Sequence, residues 1–382
     1  MEATGIICEY NPLHLGHKKQ LDTVKTMYPD SGIVCLMSGN YVQRGHPAII
    51  DKTLRAQAAV LSGADLVLEL PTTASLSSAE GFATEGVRIL SGFCKQLCFG
   101  AENADRDVLM TTAETLLSPR FSETLRQQLD KGLSFPAARQ AALGALGLSG
   151  DILALPNNIL AIEYCKAILQ QSSPMEPMPI LRQGCYHDTA PDPENPSATA
   201  VRELMLQGDG WTDYIPSEAK AIWDDAVLHS LSAGENAILY RLRTMTDSEF
   251  EALPYGSEGL WRKLMHNARS CATLEQVLTA TKSKRYTRTR LDRMVMCAFL
   301  GLTEELLAAP APYARVLAFN DRGRELLKTA RKTGLFPNAG EPVAHPYQAL
   351  EYRAGSLYGL FAIGSAESPQ SEETRRVFYH KK

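Results

Sequence analysis

Two histidines stand three residues apart in the run Tyr10-Asn11-Pro12-Leu13-His14-Leu15-Gly16-His17, which follows a strand-like apolar segment and opens a helical pattern. In the first turn of a helix, residues at this spacing share one face. The helix start also offers unpaired N–H groups and partial positive charge to a phosphate. Imidazoles placed there can donate hydrogen bonds to phosphate oxygens as charge develops in a nucleotidyl transfer. Gly16 leaves room for a close backbone approach. A second string, Ser197-Ala198-Thr199-Ala200-Val201-Arg202, sets hydroxyls at another helix start and adds an arginine whose fork suits phosphate oxygens. Alone, such a string is an ordinary cap. As the partner of the histidine pair it brackets a phosphate site.

These residues need a scaffold, and the first hundred residues supply one. Residues 4–9, 32–37, 65–70 and 96–100 are short apolar runs of the kind buried on both faces of a sheet. Between them, residues 17–27, 51–61 and 75–90 carry apolar positions at three- and four-residue spacing, and Asp51 is placed to cap the second helix. Alternation of this kind predicts a parallel sheet with helices on both faces, and ligands outside its carboxyl ends. Residues 106–166 read as helices punctuated by Pro119, Pro136 and Pro156, and residues 179–182 as one more strand. Residues 187–199 read as a loop, after which residues 217–305 are mainly helical. A strand is expected at 315–319, helices at 322–332 and 348–360, and a frayed polar tail beyond 365. The division falls near 207, giving residues 1–207 as the sheet domain that carries the phosphate-site strings and 208–382 as a mainly helical domain.

With 382 residues, 45% of them hydrophobic and 21% charged, the composition is that of a globular chain and excludes wholesale disorder. No apolar run approaches the roughly 18 residues of a membrane span, and the start lacks a signal peptide's basic region. A cytoplasmic chain without a membrane partner is expected. The eight cysteines are scattered, with Cys94 and Cys98 the one close pair and no second cysteine or histidine pair at zinc-ligand spacing, so no metal site is expected. The net charge of -4 disfavours a nucleic-acid partner on average, yet residues 262–293 hold nine bases against two acids. Six of those bases lie in residues 282–293, with Tyr286 among them, a pattern suited to RNA phosphates and an unpaired base.

The histidine motif after the first strand, with its downstream serine–arginine partner, resembles the nucleotidyltransferase superfamily that includes pantetheine-phosphate and nicotinamide-mononucleotide adenylyltransferases. A narrower resemblance runs nearly end to end. GIICEYNPLHLGH, MSGNYVQRG (37–45), PAIIDK (47–52), GADLVLELP (63–71), FGAE (99–102), PNNIL (156–160), Arg182 followed by Tyr186 and His187, and KRYT (284–287) look like the bacterial tRNA(Met) cytidine acetate ligase family. Leu13 and Leu15 depart from it, standing where Phe and a polar residue are expected.

The resemblance implies a nucleotidyltransferase-like, Rossmann-type α/β domain followed by a mainly α-helical domain that binds tRNA. It implies that acetate attacks the α-phosphate of ATP, and that N4 of the wobble cytidine of elongator tRNA(Met) then takes the acetyl group. His14 and His17 become the catalytic residues. Ile7, Cys8, Glu9, Tyr10, Asn11, Pro12, Leu13, Leu15, Gly16, Lys18, Lys19 and Gln20 join them along the nucleotide. Gly100, Asn157, Arg182, Ser197, Thr199 and Arg202 complete the ATP site, with Mg2+ accompanying the nucleotide. Gln43, Arg44 and Asp51 are candidates for the acetate and cytidine pocket. Lys282, Lys284, Arg285, Tyr286, Arg288 and Arg290 are the expected tRNA contacts. A small-molecule adenylyltransferase of the pantetheine-phosphate or NMN type is the alternative, and it would need no basic helical segment. A non-enzymatic RNA-binding protein is a third reading, disfavoured by the intact His14, Gly16, His17 and Arg202. His229, His266, His345 and His380 have no partner at useful spacing, and Trp211, Trp223 and Trp261 are read as packing residues.

Overall fold

The computed structural model describes residues 1–182, 192, 195–224, 226–283, 285–336, 345–369 and 372–381. Nine strands form: β1 (Ala3–Cys8), β2 (Gly32–Ser38), β3 (Tyr41–Val42), β4 (His46–Pro47), β5 (Leu66–Leu70), β6 (Gln96–Ala101), β7 (Glu176–Leu181), β8 (Arg315–Asn320) and β9 (Phe378–His380). Seven make one sheet in the order β7-β6-β1-β2-β5-β8-β9, while β3 and β4 pair as a separate antiparallel hairpin. The strands from β7 to β5 run parallel; β8 is antiparallel to β5, and β9 is parallel to β8.

The apolar strand runs follow from burial on both faces. On one face Val34, Leu36, Leu68 and Leu97 pack with Phe82 and Val87 of helix Ala79–Leu90 and Ile162 of helix Pro156–Gln170. On the other, Ile6, Cys35, Met37 and Val67 pack with Leu21 and Val24 of helix Leu15–Met27 and Ala56 and Ala59 of helix Lys52–Leu61. Asp51 caps the latter helix as its side chain accepts from Thr53 N at 2.8 Å. Because β1 lies between β2 and β6, the chain winds away from it in both directions. That is the switch point at which doubly wound sheets hold ligands.

The chain beyond residue 208 is mainly helical, with its own core around Leu242, Phe250, Leu264, Val277, Leu291 and Met294. It also supplies β8 and β9, the two strands that extend the sheet past β5. The tail expected to fray therefore contains a strand, and it carries Glu372 and Arg375 into the sheet lobe. Lys52 Nζ lies 2.6 Å from Glu69 and 3.0 Å from Glu372, and Arg375 lies 2.8 Å from Asp51. A three-residue strand anchored by ion pairs leaves no apolar period to read. The stretch 75–90 also divides into helices Thr72–Ser75 and Ala79–Leu90, the second capped by Ser78. Buried polar bonds join the lobes: Tyr41 Oη donates to Ala354 O at 3.0 Å, Tyr358 Oη to Ala48 O at 2.7 Å, and Thr72 N to Glu351 at 2.9 Å. Among the described residues no helix is long and apolar enough to cross a membrane.

Candidate nucleotide site

A cavity of about 730 Å³ opens over the carboxyl ends of β1, β6 and β7, a size usual for small-molecule sites. Its floor begins where β1 stops. Tyr10 takes a left-handed φ of 44°, uncommon for an aromatic residue, and the chain turns there into the helix Leu15–Met27. Asn11 steadies the turn, its Oδ1 accepting from Ile49 N at 2.8 Å. Arg55 lies wholly buried beneath, donating to the carbonyls of Glu9, Gly39 and Ile50. It ties the end of β1 to the loop after β2.

The two histidines form a reciprocal cap. His14 Nδ1 accepts from Gly16 N at 3.1 Å, and His17 Nδ1 accepts from His14 N at 3.3 Å. The rings stack with centroids 3.7 Å apart. With both Nδ1 atoms accepting, a neutral ring must carry its proton on Nε2. His14 Nε2 is buried with no hydrogen-bond partner among the described residues. Burial, the neighbouring His17 and the guanidinium groups of Arg182 and Arg202 push the pKa of His14 well down, and burial with Arg182 brings His17 to about 3. The pair is thus a set of uncharged N–H donors at the start of a helix. A Cβ on Gly16 would come within 3.0 Å of the His14 ring, so this glycine makes room for the imidazole as well as for a ligand.

Across the cavity, Ser197 caps helix Ala198–Gln207 by accepting from Ala200 N at 3.2 Å. Arg202 Nη1 donates to Asn11 O at 2.6 Å and Nη2 to Thr199 Oγ1 at 3.1 Å, so the second string closes against the first. Lys19 Nζ donates to Asn195 Oδ1 at 3.1 Å on the same rim. Gly100, at the end of β6, leaves open space: a Cβ there would meet nothing nearer than Arg182 Cβ at 4.0 Å. Arg182 Nη1 donates to Asn157 Oδ1 at 2.9 Å.

Ile7, Cys8, Glu9, Tyr10, Asn11, His14, Gly16, His17, Lys19, Gln20, Gly100, Asn157, Arg182, Ser197, Thr199 and Arg202 all line this one cavity. Pro12, Leu13, Leu15 and Lys18 do not: Leu13 is a core residue, and Lys18 pairs with Asp22 on the outer face of its helix. Gln43 and Arg44, on the hairpin β3–β4, line the cavity on its β2 side. Asp51 does not. Burial alone would raise its carboxyl, but Arg375, Thr53 N–H and Lys52 hold it down to about 2, and it serves the buried charge network instead. His229, assigned no role from spacing, also lines the cavity and lies 3.0 Å from Glu367. Its partner is 138 residues away, which no local pattern reveals. Tyr186, His187 and the loop 187–191 and 193–194 lie outside the described residues, as does Lys284.

The basic segment is partly neutralised by the fold. Arg285 pairs with Glu258 at 2.6 Å, Arg288 with Glu275 at 2.7 Å and Asp292 at 2.8 Å, and Arg269 with Asp247 at 2.8 Å. Arg290 donates to Tyr255 O and lies over the Tyr286 ring, whose hydroxyl donates to Glu258. Lys282 is exposed. The helix Arg288–Leu300 reaches the cavity wall, since Arg293 Nη1 donates to Gln43 O at 3.4 Å.

The chain is similar to known proteins along its length. The family model described as HIGH Nucleotidyl Transferase matches residues 1–373. A tRNA(Met) cytidine acetate ligase of Clostridium novyi is 38% identical over 401 residues, covering all of both chains. One of Clostridium tetani is 37% identical over 366 residues, covering 88% of this chain and 89% of its own. The crystal structure of apo Thermotoga maritima TmcAL has a TM-score of 0.91 at 28% identity, covering both chains completely. A second crystal form of that protein, bound with alpha-thio ATP, has a TM-score of 0.88 at the same identity and coverage.

Proposed function

The chain belongs to the HIGH nucleotidyl transferases and, among them, to the tRNA(Met) cytidine acetate ligases, and on that premise we propose that it acetylates a tRNA cytidine with acetate and ATP. The observation that carries the reading is the stacked, uncharged His14–His17 pair at the carboxyl end of β1, facing Arg202 across the cavity. In the first step an acetate oxygen attacks the α-phosphorus of ATP, the bond to the β-phosphate oxygen breaks, and pyrophosphate leaves. The Nε2–H groups of His14 and His17 donate to oxygens on which charge grows. Arg202 and Arg182 meet the phosphates, Ser197 and Thr199 close over them, and the open face at Gly100 receives adenosine. In the second step N4 of cytidine 34 in elongator tRNA(Met) attacks the acetyl carbon. The bond to the AMP oxygen breaks and N4 gives up a proton, leaving N4-acetylcytidine.

Glu9 is the one carboxylate on the described cavity wall, and no cluster of three metal-ligating side chains occurs among the described residues. Mg2+ arriving with ATP would have Glu9 as the carboxylate beside it and would supply positive charge against the departing pyrophosphate. Gln43 and Arg44, on the β2 side, are assigned to acetate and cytidine. Residues 1–207 form the catalytic unit and residues 208–382 the tRNA-binding unit, with Lys282, Lys284, Arg285, Tyr286, Arg288 and Arg290 as its contacts; the chain works in the cytoplasm. A small-molecule adenylyltransferase is not favoured, because relatives match through the helical lobe as well. The test is incubation with labelled acetate, ATP and tRNA. Label is expected in cytidine of tRNA(Met) and in no reaction lacking ATP; label absent from cytidine would refute the assignment.

A further inference from the structure

Glu102 follows β6 directly, beside the cavity but not on its wall. The helix Pro156–Gln170 starts at Leu155 without a side-chain cap of its own. Glu102 fills that place from a different element: Oε2 accepts from Asn158 N at 2.7 Å, and Oε1 from Asn157 N at 3.3 Å and Asn157 Nδ2 at 2.6 Å. The last contact decides which way the Asn157 carboxamide stands. Its NH2 must face the carboxylate, so its Oδ1 faces the other side, where Arg182 Nη1 donates to it. With the amide reversed, an NH2 would face guanidinium N–H groups and a carbonyl would face a carboxylate, two repulsive contacts in place of two hydrogen bonds. The neighbouring amide is locked as well, Asn158 Oδ1 accepting from Asn103 N at 2.8 Å. Arg182 is close enough to His14 and His17 to lower the pKa of both.

We propose that Glu102 is a positioning residue of the ATP site, acting through Asn157 to hold Arg182 where it meets the phosphates. The inference rests on the ATP reading of the cavity and deepens it. The rival role for Glu102 is purely structural, an acid at a helix start that stabilises the helix. The two roles differ in how Glu102 and Arg182 combine.

The experiment is a double-mutant cycle on Kd for ATP, measured by titration calorimetry, with KM and kcat from acetate-dependent ATP–pyrophosphate exchange. Glu102→Gln keeps the size of the side chain but turns one acceptor into a donor, so it cannot receive both Asn157 Nδ2 and Asn158 N. It is expected to weaken ATP about tenfold in Kd and KM with kcat within about threefold, and Arg182→Ala about fiftyfold. If Glu102 acts through Arg182, the double variant falls within about twofold of Arg182→Ala alone. Multiplying effects, or a Glu102→Gln enzyme with unchanged Kd and a lowered Tm, would overturn the proposal in favour of the helix cap. Should Glu102→Gln not fold, Glu102→Asp, which keeps the charge but shortens the reach to Asn157 Nδ2, enters the same cycle with the same expectations. Wild-type protein that binds ATP without acetate-dependent exchange would sink the ligase reading and leave the Kd cycle readable. Wild-type protein that does not bind ATP would overturn both.

Discussion

His17, with its pKa down at about 3, stays uncharged through the range in which a free imidazole titrates, and His14 is depressed by the same burial. Between about pH 3 and 6.5 the unfolded chain binds a proton at His17 that the folded chain refuses. Stability is therefore full above 6.5 and declines as pH falls, by roughly 1.4 kcal/mol per unit for one such group. Thermal melts of the free protein should show Tm dropping from pH 7.5 to 5.5, with the slope flatter by about one proton's worth in His17→Gln. An unchanged slope would mean that His17 is charged in the fold. The same neutrality has a kinetic consequence, since donors that are N–H at every working pH give no step near 6.5 in kcat/KM of the exchange. Removing one, in His17→Ala, should slow acetate-dependent exchange about 100- to 1,000-fold, the usual cost of one oriented donor to a developing oxyanion. Exchange at the wild-type rate would remove His17 from the mechanism.

The hairpin β3–β4 carries Gln43 and Arg44 into the cavity wall and packs on the helix Arg288–Leu300 of the second lobe. Gly45 closes it with φ of 83°, and a Cβ there would lie 2.4 Å from the backbone of Asp292 and Arg293. Backbone cannot yield as a side-chain tip does, so Gly45→Ala must open the contact between hairpin and helix as well as strain its own turn. A loss of about 2 kcal/mol is expected in urea unfolding, and tRNA acetylation should fall further than acetate-dependent ATP–pyrophosphate exchange, because a shift of Gln43 and Arg44 disturbs acetate in both assays and cytidine only in the first. Equal losses in both assays would show that the hairpin serves acetate alone and takes no part in holding cytidine. This element also marks what was legible beforehand. The parallel strands and the histidine turn are local patterns, apolar runs and a helix start, and 16 of the 20 residues assigned to the nucleotide line one cavity. Tyr41–Val42 and His46–Pro47 are two residues each, too short for any period, and β9 is hardly longer. Asp51 looked available because its partner Arg375 lies 324 positions along the chain. Glu102 stood in a quoted motif without a task, since its partners Asn157 and Asn158 come from a helix 55 residues on.

Over the whole molecule, a net charge of -4 conceals a segment of nine bases and two acids, and the fold changes that balance again. Three acids that answer the segment's arginines, Asp247, Glu258 and Glu275, sit around it, two of them outside residues 262–293, so Arg269, Arg285 and Arg288 spend much of their charge within the protein. Arg262, Lys263 and Lys282 are exposed and form no ion pair among the described residues. A phosphate gains most from a cation that has no internal partner, because a paired arginine must give up one contact to make another. Lys282→Ala is therefore expected to weaken tRNA binding and to lower the slope of log affinity against log salt by about 0.7 to 0.9, the share of one phosphate contact. Arg288→Ala should combine two effects, costing about 2 kcal/mol of stability by removing the main partner of the buried Asp292, and lowering the salt slope by less than Lys282→Ala, since Arg288 meets RNA only by giving up an acid. Filter binding across a salt series, with urea unfolding of the same variants, separates the two. If Arg288→Ala took the larger share of the slope, Arg288 would be leaving its acids to meet RNA, and the cationic surface would have to be drawn from the paired residues instead.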